Sequence, residues 1–260
     1  MIRQVWFALA VLAMTLASPP ATAEICKPLA QAPARVIPAS LRADEARITF
    51  VGHSTFLIES ARGVTISTDH NDIWKPPLVP RVATMNRAHS THFTLNPEPG
   101  IEHVLHGWGA RGEPARHDVR VEDVRVRNVP TNIRGFDGRT HYDGNSVFVF
   151  EMAGLCIAHL GHLHHSLTRD HFRELGTIDV VLVPVDGIYT MGFQDMVDVL
   201  KLMDPSVIVP MHFFNPWTLE RFLRGAAEHW PIEHMREPTL TVSRRALAGR
   251  EPRVVVLPGR

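Results

Sequence analysis

The last third of the chain alternates between apolar strand-like runs and helix-like segments, and this alternation most constrains the fold. Strands are predicted over residues 180–185 and 207–210, and helices near residues 168–175, 193–203 and 219–229. Strands that are separated by helices build a sheet with the helices on its outer face. We therefore expect a helix-covered sheet in this part of the chain.

The first half is rich in short β-type runs instead. Strands are predicted over 48–51, 55–59 and 64–68, then over 119–129, 146–151 and 156–160, with an irregular segment at 72–120 that is interrupted by prolines. Hydrophobic residues make up 45% of 260 residues, which is enough to fill a large core. If the two halves pack face to face, they form a four-layer αβ/βα sandwich. We therefore expect an α/β fold of this kind.

The N-terminus resembles a secretory signal. Arg3 precedes an apolar run at 5–16, and Ala21-Thr22-Ala23 has the small-x-small pattern of a cleavage site. A run of about 12 apolar residues is short of the roughly 20 that span a bilayer. We expect a signal peptide at 1–23, an extended arm at 24–46, a domain at 47–260 and a periplasmic or secreted protein with no stable membrane anchor.

Charge and cysteine content exclude several classes of function. The 27 basic residues balance 27 acidic ones, so nothing indicates a nucleic-acid partner. The two cysteines, Cys26 and Cys156, are too far apart in sequence for a thiolate zinc site, and export would permit them either to pair or to stay free.

Histidine is the most informative residue type. Sixteen are present, and many stand at or just beyond predicted strand ends, where sheet proteins collect binding chemistry. Neutral imidazole is a common ligand of zinc and related ions. The strand-end set predicts a metal site: His53, His70, His89, His92, His159, His162, His164, His165 and His212.

Three segments carry most of this signal. His89 and His92 are three residues apart in a loop, and His212 ends an apolar strand at 207–210. The segment 159–165 holds four histidines, and Gly161 permits a tight turn that directs His162 inward.

The order of these segments resembles the metallo-β-lactamase superfamily. The resemblance covers roughly residues 47–230, and it is greatest to the branch of the L-ascorbate-6-phosphate lactonases. It is carried by Val51-Gly52-His53-Ser54-Thr55-Phe56-Leu57-Ile58-Glu59, Ser67-Thr68-Asp69, the His89 loop, the Gly161 turn, Leu182-Val183-Pro184-Val185-Asp186-Gly187 and Pro210-Met211-His212. It implies a metal-dependent hydrolase that acts on a small-molecule ester, lactone, amide or phosphoester through a metal-activated water.

The metal-binding motif of that family is altered here. Its His-x-His-x-Asp-His pattern falls on residues 87–92, where Arg87 replaces the first histidine and Thr91 the aspartate. The family's middle histidine falls near Asn132, and the aspartate of its Gly-Asp turn is His162. The resemblance leaves His89, His92, His162 and His212 as ligands of one or two ions, Zn or alternatively Mn or Fe, with His53, His70 and His165 as further ligands.

Three other residues complete the predicted site. Asp69 and Asp186 are the predicted general bases, although a turn-capping carboxylate explains Asp69 equally well. The guanidinium of Arg87 fits a carboxylate or phosphate group of a substrate, and a structural salt bridge is the alternative.

Two other functions stay open at this point. Loss of the family's two aspartates also fits a catalytically silent binding protein that kept the fold. The histidine-rich segment 159–165 also fits a periplasmic metal-binding protein, which would take up several ions per chain. Nothing in the sequence indicates an oligomeric state.

Overall fold

The computed structural model describes residues 40–135 and 137–259. Fourteen strands are present there: β1 Glu45–Gly52, β2 Thr55–Ser60, β3 Thr65–Ser67, β4 Val82–Met85, β5 His103–His106, β6 Asp118–Val121, β7 Val124–Arg134, β8 Thr140–Met152, β9 Leu155–His159, β10 Val180–Pro184, β11 Val207–Met211, β12 Ile232–His234, β13 Thr239–Ser243 and β14 Arg253–Val256. The α-helices of the same residues are α1 Arg169–Leu175, α2 Phe193–Met203, α3 Pro216–Ala226 and α4 Arg244–Leu247.

The strands form two sheets. A six-stranded sheet has the order β13-β1-β2-β3-β4-β5, and an eight-stranded sheet has the order β12-β14-β11-β10-β9-β8-β7-β6. The predicted sandwich fold is confirmed, although helices are few. The long helices α2 and α3 follow strands of the eight-stranded sheet.

Burial on both faces explains the continuous apolar strands of the eight-stranded sheet. Val180 and Leu182 of β10 pack in the core between the sheets, together with Ile58 of the other sheet. The alternate residues Val181 and Val183 pack in a second core with helices α2 and α3. A strand with both faces buried is apolar at every position, so its hydrophobic pattern loses the alternation of a half-exposed strand.

The helix boundaries have local causes. Asn215 accepts a hydrogen bond from the backbone N–H of Thr218, and Pro216 follows it at the first helical position, so α3 begins three residues earlier than the predicted 219. Helix α2 matches its prediction at both ends, and its left-handed C-cap is Asp204.

The predicted irregular segment at 72–120 is wrong in three places, because it contains β4, β5 and the start of β6. Strands β4 and β5 have four residues each, and β4 pairs in parallel with β3 on one side and with β5 on the other. The predicted strand at 119–129 is in fact two antiparallel strands, β6 and β7, since Glu122 adopts a positive φ of 52° in the turn between them. Strand β1 begins at Glu45, two residues before the predicted start of the domain.

The predicted signal peptide, most of the arm and Cys26 lie outside the described residues. Cys156 lies half-buried on β9, where burial raises the pKa of its thiol. No helix in the described part of the chain is long and apolar enough to cross a bilayer.

Candidate metal centre

Five histidines from both sheets meet at one edge of the sandwich. His53 follows β1, His89 and His92 lie in the loop after β4, His162 lies in the turn after β9, and His212 follows β11. Strands β9, β10 and β11 are parallel, so their carboxyl ends reach the same edge of the eight-stranded sheet. The backbone N–H of His212 donates to the carbonyl of His53 at 2.7 Å, which joins the two sheets at this edge.

Four of these rings offer nitrogens to a common point. One nitrogen each from His53, His89, His92 and His212 lie within 4.8 Å of one another. Ligands bound tetrahedrally to zinc at about 2.1 Å are separated by roughly 3.4 Å, so the spacing is of the order that an ion requires.

Two buried carboxylates fix the orientation of two of the rings. Nδ1 of His92 is hydrogen bonded to Oδ2 of Asp69, and Nδ1 of His212 donates to Oδ2 of Asp186 at 2.9 Å. A carboxylate at Nδ1 holds the proton there and leaves Nε2 as the acceptor, which is the usual arrangement behind metal-binding histidines.

The two remaining acceptors point at each other. Nε2 of His92 lies 3.1 Å from Nε2 of His212. Two lone pairs at this distance repel, and a proton or a metal ion between the two atoms would relieve this repulsion. Burial, reinforced by His212 and His89, holds the pKa of His92 well below its usual range, which keeps this ring neutral and able to bind a metal.

The other rings also carry unused nitrogens. Nε2 of His53 and both ring nitrogens of His162 are buried and have no hydrogen-bond partner among the described residues. Burial, reinforced by His212 and His89, lowers the pKa of His53 to about 3. Burial, reinforced by His92 and His212, lowers that of His162 to about 2. Buried polar atoms without partners are rare in folded proteins, and a bound ion would satisfy them.

Thr91 supports one of the rings. Its hydroxyl lies 2.8 Å from Nδ1 of His89, so Nε2 of His89 is left for another ligand.

The backbone is strained at the same place. His53, Asp69 and His212 adopt positive φ angles of 53°, 41° and 55°. Each such residue other than glycine costs on the order of 1–3 kcal/mol, and such strain is typical of functional sites.

The turn that carries His162 needs a glycine. Gly161 has a φ of 60°, and a Cβ at this position would overlap the side-chain amides of Asn86 and Asn145. Both amides are buried and hydrogen bonded: Asn86 donates to Oδ1 of Asp69 at 3.0 Å, and Asn145 accepts from the backbone N–H of His162 at 2.8 Å. No motif in the sequence distinguishes these two asparagines from the others.

Both side-chain oxygens of Asp186 accept hydrogen bonds. Oδ1 of Asp186 accepts hydrogen bonds from the backbone N–H groups of Ile188, Tyr189 and Thr190. Its Oδ2 accepts from Thr190 and His212.

Asp69 is fully buried, and Asn86 and His92 contact its two oxygens. Both carboxylates therefore lie behind the histidine rings, which suits orientation of the rings rather than the general-base role predicted for them.

Two predicted ligands lie outside the cluster. His70 contacts Ser67 through Nδ1 and Glu98 through Nε2. The ring nitrogens of His165 contact the carbonyl of Ser166 and the backbone N–H of Asn132. The nitrogens of both rings are thus engaged by the protein, and the prediction that His70 and His165 bind metal is corrected.

A cavity of about 700 Å³ opens beside the cluster. His89 and His162 form part of its wall, and the exposed side chain of Arg87 lines it next to them. The cavity is also lined by Trp108, Ile133, Arg134, His141, Tyr142, Asp143, Ile188 and Tyr189. Its volume lies within the usual range of small-molecule sites.

Sequence comparison identifies the class of protein to which this fold and this histidine cluster belong. The sequence profile of the Beta-lactamase superfamily domain matches residues 47–212. The chain therefore belongs to the metallo-β-lactamase superfamily, and this match ends on His212.

Individual relatives agree with this family. The chain is 34% identical over 201 residues to a UPF0173 metal-dependent hydrolase of Pyrococcus abyssi, with 66% of this chain and 85% of that protein covered. It is 25% identical over 197 residues to a UPF0173 metal-dependent hydrolase of Pyrococcus furiosus, with the same coverage of each chain.

A solved structure with the same fold comes from Thermotoga maritima and is a candidate zinc-dependent hydrolase of the metallo-β-lactamase superfamily. It superposes with a TM-score of 0.63 and 29% identity, covering 83% of this chain and 100% of that one.

Proposed function

We propose that this protein is a metal-dependent hydrolase whose centre is the histidine cluster at the edge of the two sheets. The observation that carries the proposal is the pair of Nε2 atoms of His92 and His212, 3.1 Å apart, each on a ring whose Nδ1 is engaged by a buried carboxylate. A proton between them would satisfy one pair of nitrogens, whereas a metal ion would also serve His53 and His89. The relatives named metal-dependent hydrolases support the same reading.

The donor set fits zinc. Imidazole nitrogens suit Zn, Cu, Fe and Ni, and the neutral state of His92 is the state that binds them. When bound, the ion would act as a Lewis acid on the scissile bond and lower the pKa of a coordinated water towards neutrality.

The chain's own residues supply orientation and substrate binding. Asp69 and Asp186 hold the rings of His92 and His212, and the cavity beside His89 and His162 accommodates a small molecule. Arg87 and Arg134 line this cavity. Guanidinium groups bind carboxylate or phosphate groups, so Arg87 is the proposed contact for an anionic group of the substrate.

The resemblance of the segments 51–59 and 210–212 to the lactonase branch places lactones, including sugar-phosphate lactones, among the first substrates to test. Aryl esters and phosphodiesters complete the panel, because a metal-activated water attacks all of these bonds.

The test combines metal content with hydrolysis. Protein purified under metal-replete conditions should contain a first-row transition metal and hydrolyse at least one class in the panel. His92→Ala and His212→Ala should lose both metal and activity, while the control His165→Gln should keep both. A folded protein that holds no metal, or activity that survives in both alanine variants, would overturn the proposal.

We also propose that the protein acts in the periplasm or outside the cell. Support comes from Arg3, the apolar run at 5–16 and the small-x-small pattern at 21–23. Mass spectrometry of the protein from the producing cell should show a mature N-terminus at Glu24, and an intact Met1 in a cytoplasmic fraction would contradict the idea.

A further inference from the structure

We propose that the centre takes one ion per chain, held by imidazole nitrogens alone, and that this ion is a borderline transition metal such as Zn²⁺ rather than Mn²⁺ or Mg²⁺. The inference rests on the proposed metal centre and goes beyond it by stating how many ions the site can hold and which ions it rejects.

The first step concerns the number of free nitrogens. Nδ1 of His92 and of His212 are engaged by carboxylates, and Nδ1 of His89 lies against the hydroxyl of Thr91. Each of these three rings therefore offers only Nε2 to the centre. An imidazole nitrogen has one lone pair and binds one ion, so none of the three can bridge a pair of metals.

The second step concerns bridging oxygens. Asp69 and Asp186 are the carboxylates nearest to the rings, and their oxygens are taken by His92, Asn86, His212, Thr190 and backbone N–H groups. Within residues 40–135 and 137–259, the group that could hold an ion consists of histidines only. Two divalent ions side by side with no anionic ligand would repel each other strongly.

The third step concerns the arrangement of the rings. The centroids of His89, His92 and His212 form a triangle with sides of 4.5, 5.0 and 5.6 Å. The ring centroid of His53 lies 5.7 Å from that of His89, 5.6 Å from that of His92 and 4.1 Å from that of His212. The ring centroid of His162 lies 5.3 Å from that of His89 and 5.0 Å from those of His92 and His212.

Two rings at such similar distances from one triangle cannot share the same space, so they lie on its opposite sides. His89, His92 and His212 thus surround a single position, with His53 on one face and His162 on the other. The ligand nitrogens of His53, His89, His92 and His212 lie within 4.8 Å of one another and match a mononuclear site of four nitrogens, with the ring of His162 on the opposite face from His53. The face of His162 is the one that opens to the cavity, since His162 and His89 line its wall.

The donor chemistry then decides the class of ion. Imidazole suits Zn, Cu, Ni and Fe, while Mn²⁺ and Mg²⁺ prefer carboxylate, carbonyl and water oxygens. A shell of nitrogens with carboxylates only behind it should therefore discriminate strongly against the oxygen-seeking ions.

The experiment uses the full chain, stripped with a chelator and reloaded. Co²⁺ absorbance and Zn²⁺ calorimetry should both saturate at one equivalent, and Mn²⁺ should bind at least about 100-fold more weakly than Zn²⁺. The electron paramagnetic resonance spectrum of the Cu²⁺ form should show hyperfine splitting from several nitrogens.

Variants separate the roles of the five rings. His53→Ala and His162→Ala should weaken Zn²⁺ binding by roughly 10–100-fold while the stoichiometry stays at one, and the control His165→Gln should change neither. His92→Ala should abolish tight binding.

The outcomes distinguish this inference from the proposed function. Two tightly bound equivalents, or Mn²⁺ held as tightly as Zn²⁺, would overturn the single-ion inference and leave the metal-dependent hydrolase standing. A folded protein that binds no ion at all would overturn both.

Discussion

His92 and His212 approach within 3.1 Å through their Nε2 atoms, although they stand 120 residues apart and belong to loops of different sheets. Their other nitrogens are bound by Asp69 and Asp186, both buried. This chain of carboxylate, imidazole, imidazole and carboxylate joins the two sheets.

Asp186→Asn should weaken Zn²⁺ binding by roughly 10–100-fold. Oδ1 of Asp186 accepts three backbone N–H groups, so the amide oxygen of asparagine will take that position and its NH₂ will face His212. The ring of His212 then has to accept at Nδ1 and carry its proton on Nε2, which would leave no lone pair there for the proposed ion. Competition with a chromophoric chelator measures the affinity.

Asp179→Asn is the matched control for this change. Asp179 is also a buried carboxylate, but it pairs with Arg244 at 2.7 Å, away from the cluster. The Asp179→Asn substitution should lower the free energy of unfolding without changing the affinity for Zn²⁺. Equal affinities in Asp186→Asn and the unchanged protein would rule out the orienting role of Asp186.

Gly161→Ala should destabilise the fold by about 3 kcal/mol or more, because it combines a left-handed backbone with steric overlap in a buried turn. The added methyl group would meet the amides of Asn86 and Asn145, which hold Asp69 and the backbone of His162. Denaturant unfolding measures the loss.

Gly249→Ala separates strain from overlap. Gly249 has a φ of 72°, yet no atom lies within 4 Å of a Cβ at that position. This control should cost only about 1–2 kcal/mol. Similar losses in the two variants would mean that the packing around Gly161 is unimportant.

The metal-free protein should lose stability as the pH falls below about 6.5. Burial, reinforced by neighbouring histidines, lowers the pKa of His53 to about 3 and that of His162 to about 2. In the unfolded chain both rings take up protons near pH 6.5, so between pH 6.5 and 3 the unfolded state binds more protons than the folded state. The free energy of unfolding is therefore at its full value above pH 6.5 and decreases towards pH 3.

Urea unfolding of the metal-free protein at pH 5, 6, 7 and 8 measures this dependence. His162→Gln removes one titrating ring and should flatten the slope between pH 5 and 6. A slope that is unchanged in this variant would show that His162 does not contribute to the acid sensitivity.

Arg87→Gln should raise KM for an anionic substrate by about 10-fold or more, because a charged hydrogen bond contributes about 1.5–3 kcal/mol. A suitable pair is 4-nitrophenyl hemisuccinate, which carries a carboxylate, and the neutral 4-nitrophenyl butyrate. The KM of the neutral ester and the Zn²⁺ content should stay the same, and Arg87→Lys should recover part of the loss.

Arg62→Gln serves as the control for loss of a positive charge. Arg62 is exposed and pairs with Glu122 at 3.1 Å, outside the cavity lining. If both variants raise KM for both esters alike, Arg87 has no specific role in binding the anionic group.

Local patterns were sufficient for the elements that are apolar or amphipathic over a continuous stretch. Strand β10 and helix α2 were predicted correctly because every residue of β10 is buried and because α2 has one buried face. Strands β4 and β5 were missed, since four residues each carry too little pattern and their pairing partners come from elsewhere in the chain. The final strands after residue 229 were missed for the same reason.

The sequence alone determined which residues are available at the site. It placed His162 and His212 at strand ends and His89 and His92 three residues apart in a loop, and it marked Gly161 as a turn, because strand length and glycine content are local properties. Apolar strands with histidines beyond their ends were enough to predict a metal site at the sheet edge.

Only the tertiary structure decided which histidines meet and what the carboxylates do. His53 joins the cluster, whereas His70 and His165 have their ring nitrogens engaged by other parts of the protein. Asp69 and Asp186 lie behind the rings that they orient. These outcomes depend on how the two sheets pack, which brings together residues more than a hundred positions apart in sequence. No local pattern records the direction in which a side chain points after that packing.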